Sequence, residues 1–303
     1  MPRAWLARRG AALLALVLVA IGFVGLRIVS SPTATGYRAA IAAAPADRLY
    51  VADDSRGLVV VDAHGQVSRS AALPAGGALA LAADGDRLLL GTDGGLYQSS
   101  DGGGSWRRAP GVSGRRFLAV DLAQDQLAAG AWADRLWVSA DGGDHWRAAS
   151  IPAGNSEFNA VSVATGGTQL AATLLGLLRS TDGGRTWTAV GGVPNRMTAV
   201  DHLGAQLYAA DWRGAVYESA ADGSSWRQTR NLGRGVWGMS IAALGFATTD
   251  GLYLGEAKAG GPLGDREINR VVLSGGTLYA SVARGGIYAS GDGGRSWKLV
   301  FDR

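Results

Sequence analysis

Short runs of apolar residues, separated by glycine and other turn-forming residues, recur in groups of four along almost the whole chain. One such group comprises Phe117 to Asp121, Gln126 to Gly130, Arg135 to Trp137 and a last run that begins at Trp146. Apolar alternation over about four to eight residues, bounded by turn residues, is typical of β-strands. The pattern therefore predicts an all-β protein built from short antiparallel strands.

Seven groups of this kind follow one another, and each is recognised by its third run. These third runs are Gly57 to Val59, Gly95 to Tyr97, Arg135 to Trp137, Gly176 to Leu178, Ala215 to Tyr217, Gly251 to Tyr253 and Gly286 to Tyr288. Units of four strands bury their faces only by stacking, so the repeat predicts a seven-bladed β-propeller with four-stranded antiparallel blades over residues 37–303. Each blade supplies all of its own strands, which predicts that contact between blades 1 and 7 closes the ring without a swapped strand.

An eight-residue motif, Ser-x-Asp-x-Gly-x-x-Trp, separates the third and fourth runs at residues 99–106, 139–146, 180–187 and 290–297. In a hairpin, its Asp is expected to accept bonds from turn amides, its Gly to adopt a positive φ, and its Trp to be buried. A degraded copy ends at Trp226, with Ala221 at the Asp position and Asp222 one residue later, which predicts a looser hairpin. The predicted structural residues are Asp101, Trp106, Asp141, Trp146, Asp182, Trp187, Trp226, Asp292 and Trp297.

This motif resembles the Asp-box, or BNR, repeat of sialidases, sortilin-like receptors, xyloglucan-degrading glycosidases and a photosystem II assembly factor. Residues 180–187 match that repeat at every position, and the resemblance extends over blades 2 to 5 and 7. It implies a propeller that binds its ligands on the face opposite the motif hairpins. Because the family contains both enzymes and binding proteins, the resemblance leaves the activity open. The Gly-His and Trp-Asp signatures of WD40 repeats are missing at the corresponding places.

The charge of the chain is concentrated at its N-terminus. The sequence has 29 Lys and Arg against 25 Asp and Glu, and four of the arginines lie within the first 27 residues. Without those four, the two signs balance at 25 each, so the body lacks the basic footprint of a nucleic-acid-binding protein. The chain has no cysteine, which excludes a disulfide framework and a lipidated cysteine.

An apolar run covers residues 10–26, between Arg8-Arg9 and Arg27. As a helix it would be about 25 Å long, near the length that spans a bilayer. The excess of arginine before the run predicts a cytoplasmic N-terminus (1–9), a transmembrane signal-anchor helix (10–29), a linker (30–36) and an extracytoplasmic propeller, periplasmic or extracellular. A cleaved signal, which would give a secreted form, is the alternative, although no good small-residue cleavage site follows the run.

The loops opposite the motif hairpins are rich in arginine and contain two tryptophans. Asp211-Trp212-Arg213 is nearly echoed by Trp132 with Asp134 and Arg135. Arginine forks bind carboxylates and phosphates, and tryptophan anchors interfaces, so this face is predicted to bind a partner. The plainer interpretation is solvated loop charges and local Asp–Arg pairs, each worth about 0–1 kcal/mol. The predicted binding residues are Arg116, Trp132, Arg135, Arg196, Trp212, Arg213, Arg234, Arg266 and Arg284.

Catalytic chemistry finds less support in the sequence. Sialidases, which the motif resembles, require an arginine triad and an Arg-Ile-Pro motif, and that motif is missing here. A glycosidase needs two carboxyl groups about 5–10 Å apart, and the candidates are Asp121 and Asp201, in the same register of blades 3 and 5. The alternative is that these residues tie neighbouring strands together.

The histidines and the glycine-rich segments do not predict a metal or cofactor site. His64, His145 and His202 lie in different blades without ligand spacing. The sequence contains neither a phosphate loop, nor a nucleotide fingerprint, nor a Gly-x-Ser-x-Gly elbow. No cofactor and no metal are therefore predicted.

Together these features predict a non-enzymatic, membrane-anchored extracytoplasmic propeller that binds a protein partner or helps to assemble a membrane complex. A sialidase-like glycoside hydrolase or glycan-binding module is the first alternative. A photosystem II assembly factor-like protein is the second.

Overall fold

A computed structural model of the chain describes residues 40–302, except 115, 134, 165, 220, 221 and 284. Its strands form seven separate four-stranded antiparallel sheets, in which strand order follows the chain. The inner strands of successive sheets pack on one another, and that of the last sheet packs on that of the first. The predicted seven-bladed β-propeller is confirmed. The predicted cytoplasmic N-terminus, membrane anchor and linker lie outside the described residues.

The first four blades have inner strands of similar length, and their outer strands have two residues each except β4, which has five. Blade 1 comprises β1 (Ala40–Ala44), β2 (Arg48–Asp53), β3 (Gly57–Val61) and β4 (Val67–Ala71). Blade 2 comprises β5 (Ala78–Asp84), β6 (Arg87–Thr92), β7 (Leu96–Ser99) and β8 (Arg107–Arg108). Blade 3 comprises β9 (Phe117–Ala123), β10 (Gln126–Ala131), β11 (Leu136–Ser139) and β12 (Arg147–Ala148). Blade 4 comprises β13 (Phe158–Val163), β14 (Gln169–Thr173), β15 (Gly176–Ser180) and β16 (Thr188–Ala189).

The last three blades differ mainly in their outer strands. Blade 5 comprises β17 (Met197–Leu203), β18 (Gln206–Asp211), β19 (Ala215–Ser219) and β20 (Trp226–Asn231). Blade 6 comprises β21 (Val236–Ser240), β22 (Gly245–Thr248), β23 (Gly251–Leu254) and β24 (Ala257–Lys258), with 3-10 helices at Ile241–Ala243 and Gly261–Leu263. Blade 7 comprises β25 (Ile268–Ser274), β26 (Thr277–Val282), β27 (Ile287–Ser290) and β28 (Lys298–Phe301).

The core consists of apolar clusters between neighbouring blades. Every residue of β9 is buried, whereas both residues of β8 are exposed, so burial increases towards the axis. Some contacts require glycine: a Cβ on Gly130 would lie 2.4 Å from Cβ of Phe158 in the next blade. Gly91 meets Phe117 in the same way, with its Cβ 2.8 Å from that of the phenylalanine. Small residues in second strands thus let the next blade's aromatic ring approach closely.

Blades 1 and 7 close the ring by direct contact, as predicted. Ser274 Oγ donates a hydrogen bond to the carbonyl oxygen of Ala44 at 3.0 Å. The hydroxyl of Tyr279 donates to the carbonyl oxygen of Asp47 at 2.7 Å. Val272, Tyr279 and Phe301 share a buried cluster with residues of blade 1. Apolar packing and these hydrogen bonds replace the strand exchange that closes other rings.

Replacing Tyr279 with phenylalanine is expected to lower the free energy of unfolding by about 1 kcal/mol, because it deletes one closing hydrogen bond and keeps the buried ring. Urea denaturation of the full chain in detergent measures this difference. Tyr97→Phe is the matched control, since the structure gives the Tyr97 hydroxyl no hydrogen-bond partner among the described residues. Equal losses in both variants would show that the bond to Asp47 does not stabilise closure.

The motif hairpins contain the hydrogen bonds expected from their sequence. In blade 4, Asp182 accepts bonds from the backbone N–H and the hydroxyl of Thr186, at 3.0 and 2.6 Å. The bonds from Thr186 favour the charged form and lower the pKa of Asp182 to about 2. Gly184 has φ +78°, and its carbonyl oxygen accepts the indole N–H of Trp187 at 3.0 Å. The motif therefore acts as a closed hydrogen-bonded turn.

The other copies repeat this arrangement with small differences. Asp101, Asp141 and Asp292 each accept a serine hydroxyl and a backbone N–H four residues later. The indoles of Trp146, Trp226 and Trp297 donate to a glycine carbonyl, whereas Trp106 Nε1 is buried without a partner among the described residues. In the degraded copy, Asp222 accepts the backbone N–H of Ser224 at 3.1 Å. Ala221, at the original Asp position, lies outside the described residues.

The motif hairpins of blades 2, 3 and 4 each receive a side chain from the preceding blade. Arg69 of blade 1 donates to the carbonyl oxygen of Asp101 at 2.8 Å. Gln98 of blade 2 donates to the carbonyl oxygen of Gly143 at 2.7 Å, and Arg147 of blade 3 to that of Gly183 at 3.1 Å. The hairpins thus bridge blades as well as close turns, which supports the structural interpretation of the motif.

Antiparallel connection gives the propeller two unlike faces. The motif hairpins and the turns between first and second strands lie on one of them, which we call the hairpin face. The loops between second and third strands and between blades lie on the other, which we call the loop face. Within the described range, no helix is both long and apolar enough to cross a membrane.

Candidate functional site

Two arginine–tryptophan pairs occupy equivalent positions on the loop face of blades 3 and 5. Arg116 and Arg196 directly precede β9 and β17, and both have left-handed backbone, with φ +55° and +61°. Their carbonyl oxygens accept the backbone N–H groups of Trp132 and Trp212, at 3.0 and 3.2 Å. Their guanidinium carbons lie 5.7 and 5.2 Å from those rings. Cation–π attraction therefore orders two indoles that are each 39% exposed.

Blade 4, between these pairs, has leucine where its neighbours have tryptophan. Leu174 directly follows β14, as Trp132 and Trp212 follow β10 and β18. Leu174 and Leu175 are 39% and 49% exposed. The carbonyl oxygen of Leu174 accepts the backbone N–H of Arg196 at 2.8 Å, which links blades 4 and 5. We call this set of loop-face residues in blades 3 to 5 the Arg–Trp arc; it consists of Arg116, Trp132, Leu174, Leu175, Arg196, Trp212 and Arg213.

An open cleft of about 690 Å³ lies at one end of the Arg–Trp arc, between blades 4 and 5. Trp212 and the two leucines form its apolar wall, and Arg196 and Arg213 lie beside them. The guanidinium carbon of Arg213 also lies over the Trp212 ring, at 4.9 Å. In the part of the chain that the structure describes, neither of these arginines forms a salt bridge, whereas Arg116 lies 3.4 Å from Asp93. The cleft therefore combines apolar surface with two arginines that form no salt bridge, beside the buried carboxylate of Asp211.

Asp211 holds the loop that carries Trp212. Its side chain is only 3% exposed, and Oδ1 accepts the backbone N–H groups of Arg213 and Ala215, both at 2.9 Å. Burial raises the pKa of Tyr217 in the cleft wall, and the charge of Asp211 raises it further. Tyr217 is therefore a neutral hydrogen-bonding group, and Asp211 is used for positioning. The sequence placed Asp211 on this face without predicting that role.

Other predicted binding residues form bonds within their own blades. Arg234 bonds to Asp250 and to the hydroxyl of Tyr253, and its guanidinium carbon lies 5.1 Å from that tyrosine ring. Arg266 Nη1 donates to the hydroxyl of Tyr288 at 3.1 Å. These contacts order both arginines, and the backbone of Arg234 lies against Gly214, directly after Arg213 of the Arg–Trp arc. A role for either in partner binding stays a prediction.

The remaining predicted residues of the loop face add little to the arc. The carbonyl oxygen of Arg135 accepts the backbone N–H of Ala131 at 3.0 Å, which closes the loop after β10. Asp134 and Arg284 lie outside the described residues. The structure therefore brings together Arg116, Trp132, Arg196, Trp212 and Arg213 out of the predicted set, and adds Leu174 and Leu175.

Asp121 and Asp201, the candidate catalytic pair, each bond to the inner strand region of the next blade. Asp121 Oδ2 accepts the backbone N–H of Val163 at 2.7 Å, and Asp201 Oδ2 accepts that of Ile241 at 2.8 Å. The side chains are 0% and 4% exposed. Burial raises the pKa of Asp201 to about 7, against the opposing effect of its two backbone hydrogen bonds. Both residues thus tie neighbouring blades, as the alternative interpretation expected, and a catalytic role stays untested.

Arg270, on the inner strand β25, is a buried charge that sequence reasoning missed. The residue is 5% exposed, and Nε, Nη1 and Nη2 have no hydrogen-bond partner in the described part of the chain. Burial lowers the pKa of Arg270 to about 10, while the charges of Asp201 and Asp121 act in the opposite direction. Inner strands of blades 3, 5 and 7 therefore place one positive and two acidic side chains within electrostatic range. An isolated arginine in an apolar run gave no motif by which to detect it.

The three histidines lie in blades 1, 3 and 5. His145 Nδ1 lies 2.6 Å from Oδ2 of Asp141 in its hairpin, and His202 Nδ1 lies 3.0 Å from Oγ of Ser162. The His64 backbone N–H donates to Asp62. Over the described ranges, no group of three His, Cys, Asp or Glu residues could hold a metal ion.

Comparison with known proteins supports the fold and leaves the family open. No family model matches the chain. A xyloglucanase from a Paenibacillus species is 28% identical over 173 residues, which cover 50% of this chain and 17% of that enzyme. This chain therefore spans only a small part of its curated relative.

Two solved structures show the same architecture at low sequence identity. PorZ, an essential bacterial surface component of the type-IX secretion system of Porphyromonas gingivalis, superposes with a TM-score of 0.63 and 13% identity, over 90% of this chain and 39% of that one. An ancestral GH74 enzyme superposes with a TM-score of 0.51 and 18% identity, over 90% and 40%. At these identities the likeness concerns the β-propeller fold alone.

Proposed function

We propose that this chain is a non-enzymatic binding module that docks a protein partner on its Arg–Trp arc. In this proposal the predicted signal-anchor at residues 10–29 holds the propeller at a membrane, with the propeller outside the cytoplasm. The observation that carries the proposal is the repeated arginine–tryptophan pair, found in blades 3 and 5 around the exposed leucines of blade 4.

The composition and order of this surface support protein binding. Tryptophan and arginine are the residues most enriched at the energetic centres of protein interfaces, and exposed leucines add apolar area that a partner would cover. The stacked guanidinium groups limit the motion of both indoles before binding, which lowers the entropic cost of ordering them in an interface. Among the structural relatives, PorZ is a bacterial surface component of a type-IX secretion system.

A pull-down from detergent-solubilised source membranes tests the proposal, with the tagged full chain as bait. We expect the wild-type chain to recover a protein partner and the double variant Arg196→Glu/Arg213→Glu to lose it. The matched control is Arg185→Glu/Arg295→Glu, which makes the same change of charge at exposed positions on the hairpin face. Thermal unfolding of all three proteins checks that they are folded.

Two results would contradict the proposal. One is the absence of any specific partner with the wild-type chain. The other is equal recovery by the Arg196/Arg213 variant and the wild type. Reversal of Arg234 or Arg266 is a poorer test, because each of these arginines bonds to side chains of its own blade.

A glycan-binding module is the second candidate, and the likeness to a xyloglucanase over half of the chain favours it. Exposed indole faces also stack on sugar rings, and two of them lie on the Arg–Trp arc. A glycan array on which Trp132→Ala and Trp212→Ala both lose a signal would support this function. Turnover of a fluorogenic glycoside panel that disappears in Asp121→Asn would instead indicate a glycoside hydrolase.

A further inference from the structure

Blade 5 differs from most other blades in the length of its outer strand. β20 covers Trp226–Asn231, six residues, whereas β8, β12, β16 and β24 have two residues each. The next longest outer strands are β4 of blade 1, with five residues, and β28 of blade 7, with four.

The outer edge of β20 has no strand beside it in the described sheets. Proteins usually keep such edges short or cover them, because a row of unpaired backbone groups can bind another strand. Arg227 and Arg230 place positive charge on this strand; Arg227 lies 3.6 Å from Glu218, and Arg230 stacks over Phe246 at 5.8 Å. The edge is thus long and basic, and no described strand pairs with it; the side-chain amide of Gln228 donates to the carbonyl oxygen of Arg230 at 3.3 Å.

The same strand forms one wall of the cleft between blades 4 and 5. Gln228 and Asn231 of β20 line this cleft together with Trp212, Arg196 and Arg213. On the other side, β16 is only two residues long, so blade 4 leaves the extended part of β20 uncovered. Side chains of an added strand alternate between the two faces of a sheet, and every second one would point to the side of the cleft.

We propose that an extended acidic peptide segment of a partner pairs with the edge of β20 and places carboxylates against Arg196 and Arg213. This inference rests on the proposed protein-binding function and names the class of segment that is bound. Strand addition to a free edge provides main-chain affinity, and side-chain pockets provide specificity. The two arginines without salt bridges favour carboxylates, which bind guanidinium groups with charge-assisted hydrogen bonds.

Fluorescence anisotropy with labelled nonapeptides tests this inference on the full chain in detergent. The probe alternates glutamate and valine; a second peptide replaces glutamate with lysine. Two further peptides carry N-methyl groups on alternate amides. In one peptide the methyl groups block one edge of the extended chain, and in the other they block the opposite edge, while the charge is kept in both. We expect the glutamate peptide to bind, and the lysine peptide and one N-methylated peptide to bind about tenfold more weakly or worse.

Protein variants locate the binding. Arg196→Glu/Arg213→Glu should weaken binding of the glutamate peptide at least about tenfold, and Arg185→Glu/Arg295→Glu should bind as the wild type does. Unchanged binding of both N-methylated peptides, or unchanged binding by the Arg196/Arg213 variant, would overturn the inference.

The peptide assay tests the further inference, and the membrane pull-down tests the proposed function, so a negative result in one is distinguishable from a negative result in the other. If the glutamate peptide does not bind but partner capture still requires Arg196 and Arg213, the extended acidic segment is wrong and the proposed function stands. If the peptide binds as expected but no partner is captured from membranes, the proposed docking of a membrane protein partner is overturned.

Discussion

The Asp201 carboxyl group is expected to lower the free energy of unfolding of the wild-type chain by about 4 kcal/mol as the pH rises from about 4 to about 7. The variant Asp201→Asn is expected to lack this pH dependence. Burial raises the pKa of Asp201 from its ordinary value of 3.8 to about 7. Between these values the folded chain holds a proton that the unfolded chain has released. Raising the pH through this range therefore favours unfolding, and above about pH 7 the loss is complete.

The effect of Asp201 is separable from that of other acidic residues. The hairpin carboxylates of Asp101 and Asp182 have pKa values lowered to about 2 by hydrogen bonds, so their stabilisation is present above about pH 4 and is lost as the pH falls. Because both proteins contain these groups, their contributions cancel in the difference between wild type and variant. The asparagine variant also loses one of the two hydrogen bonds from the backbone N–H groups of Ile241 and His202. This loss lowers the free energy of unfolding by a similar amount at every pH, so it does not change the slope of stability against pH.

Urea denaturation at pH 4, 5.5 and 7.5 measures this difference, with Asp125→Asn as the control because Asp125 is exposed. As the pH rises, the free energies of unfolding of the wild type and of the control should fall in parallel, relative to that of Asp201→Asn. A variant whose stability follows the same pH profile as the wild type would show that Asp201 is already ionised at pH 4 in the folded chain.

Replacing Trp187 with alanine is expected to destabilise the propeller by about 3–5 kcal/mol, because it removes a large buried ring and leaves a cavity. Trp187 is 4% exposed and packs in the cluster between blades 3 and 4 with Val138 and Phe158. Trp187→Phe keeps most of this packing and loses the indole hydrogen bond to Gly184, so a destabilisation of about 1–2 kcal/mol is expected. Chemical denaturation monitored by circular dichroism measures both variants.

Trp132→Ala is the matched control for this experiment, because Trp132 is 39% exposed on the loop face. Its removal should change stability by less than about 1 kcal/mol. If Trp132→Ala destabilises the chain as much as Trp187→Ala does, burial in the hairpin cannot explain the effect, and the structural role given to the motif is wrong.

Much of the fold was predictable because it repeats. The hairpin motif marks one corner of a blade, and strand-length apolar runs mark the rest, so two blades without the motif were still counted from runs such as Gly57 to Val59. Tight turns and alternating burial are local properties of the chain. The closure contact between Tyr279 and Asp47 was predicted only in outline, since the atoms that form it come from opposite ends of the propeller.

The candidate site was predictable in its residues but not in their arrangement. Sequence placed Arg196 and Trp212 on one face, yet their stacking depends on the left-handed backbone before β17 and on the path between blades. Leu174 was missed because its equivalence to Trp132 becomes visible only when strand ends are superimposed. The sequence placed Arg234 on the loop face but did not reveal its bond to the hydroxyl of Tyr253.

The side chains that reach the motif hairpins all point the same way along the chain. Arg69, Gln98 and Arg147 each belong to the blade that is made earlier and bond to the hairpin of the blade made next. Chain synthesis proceeds from the N-terminus, and units generally fold in that order. Blades 2, 3 and 4 thus meet donors already in position on their predecessors, whereas contact between blades 7 and 1 has to wait until blade 7 has been synthesised. The ring is therefore suited to sequential assembly on the ribosome, with closure as its final step.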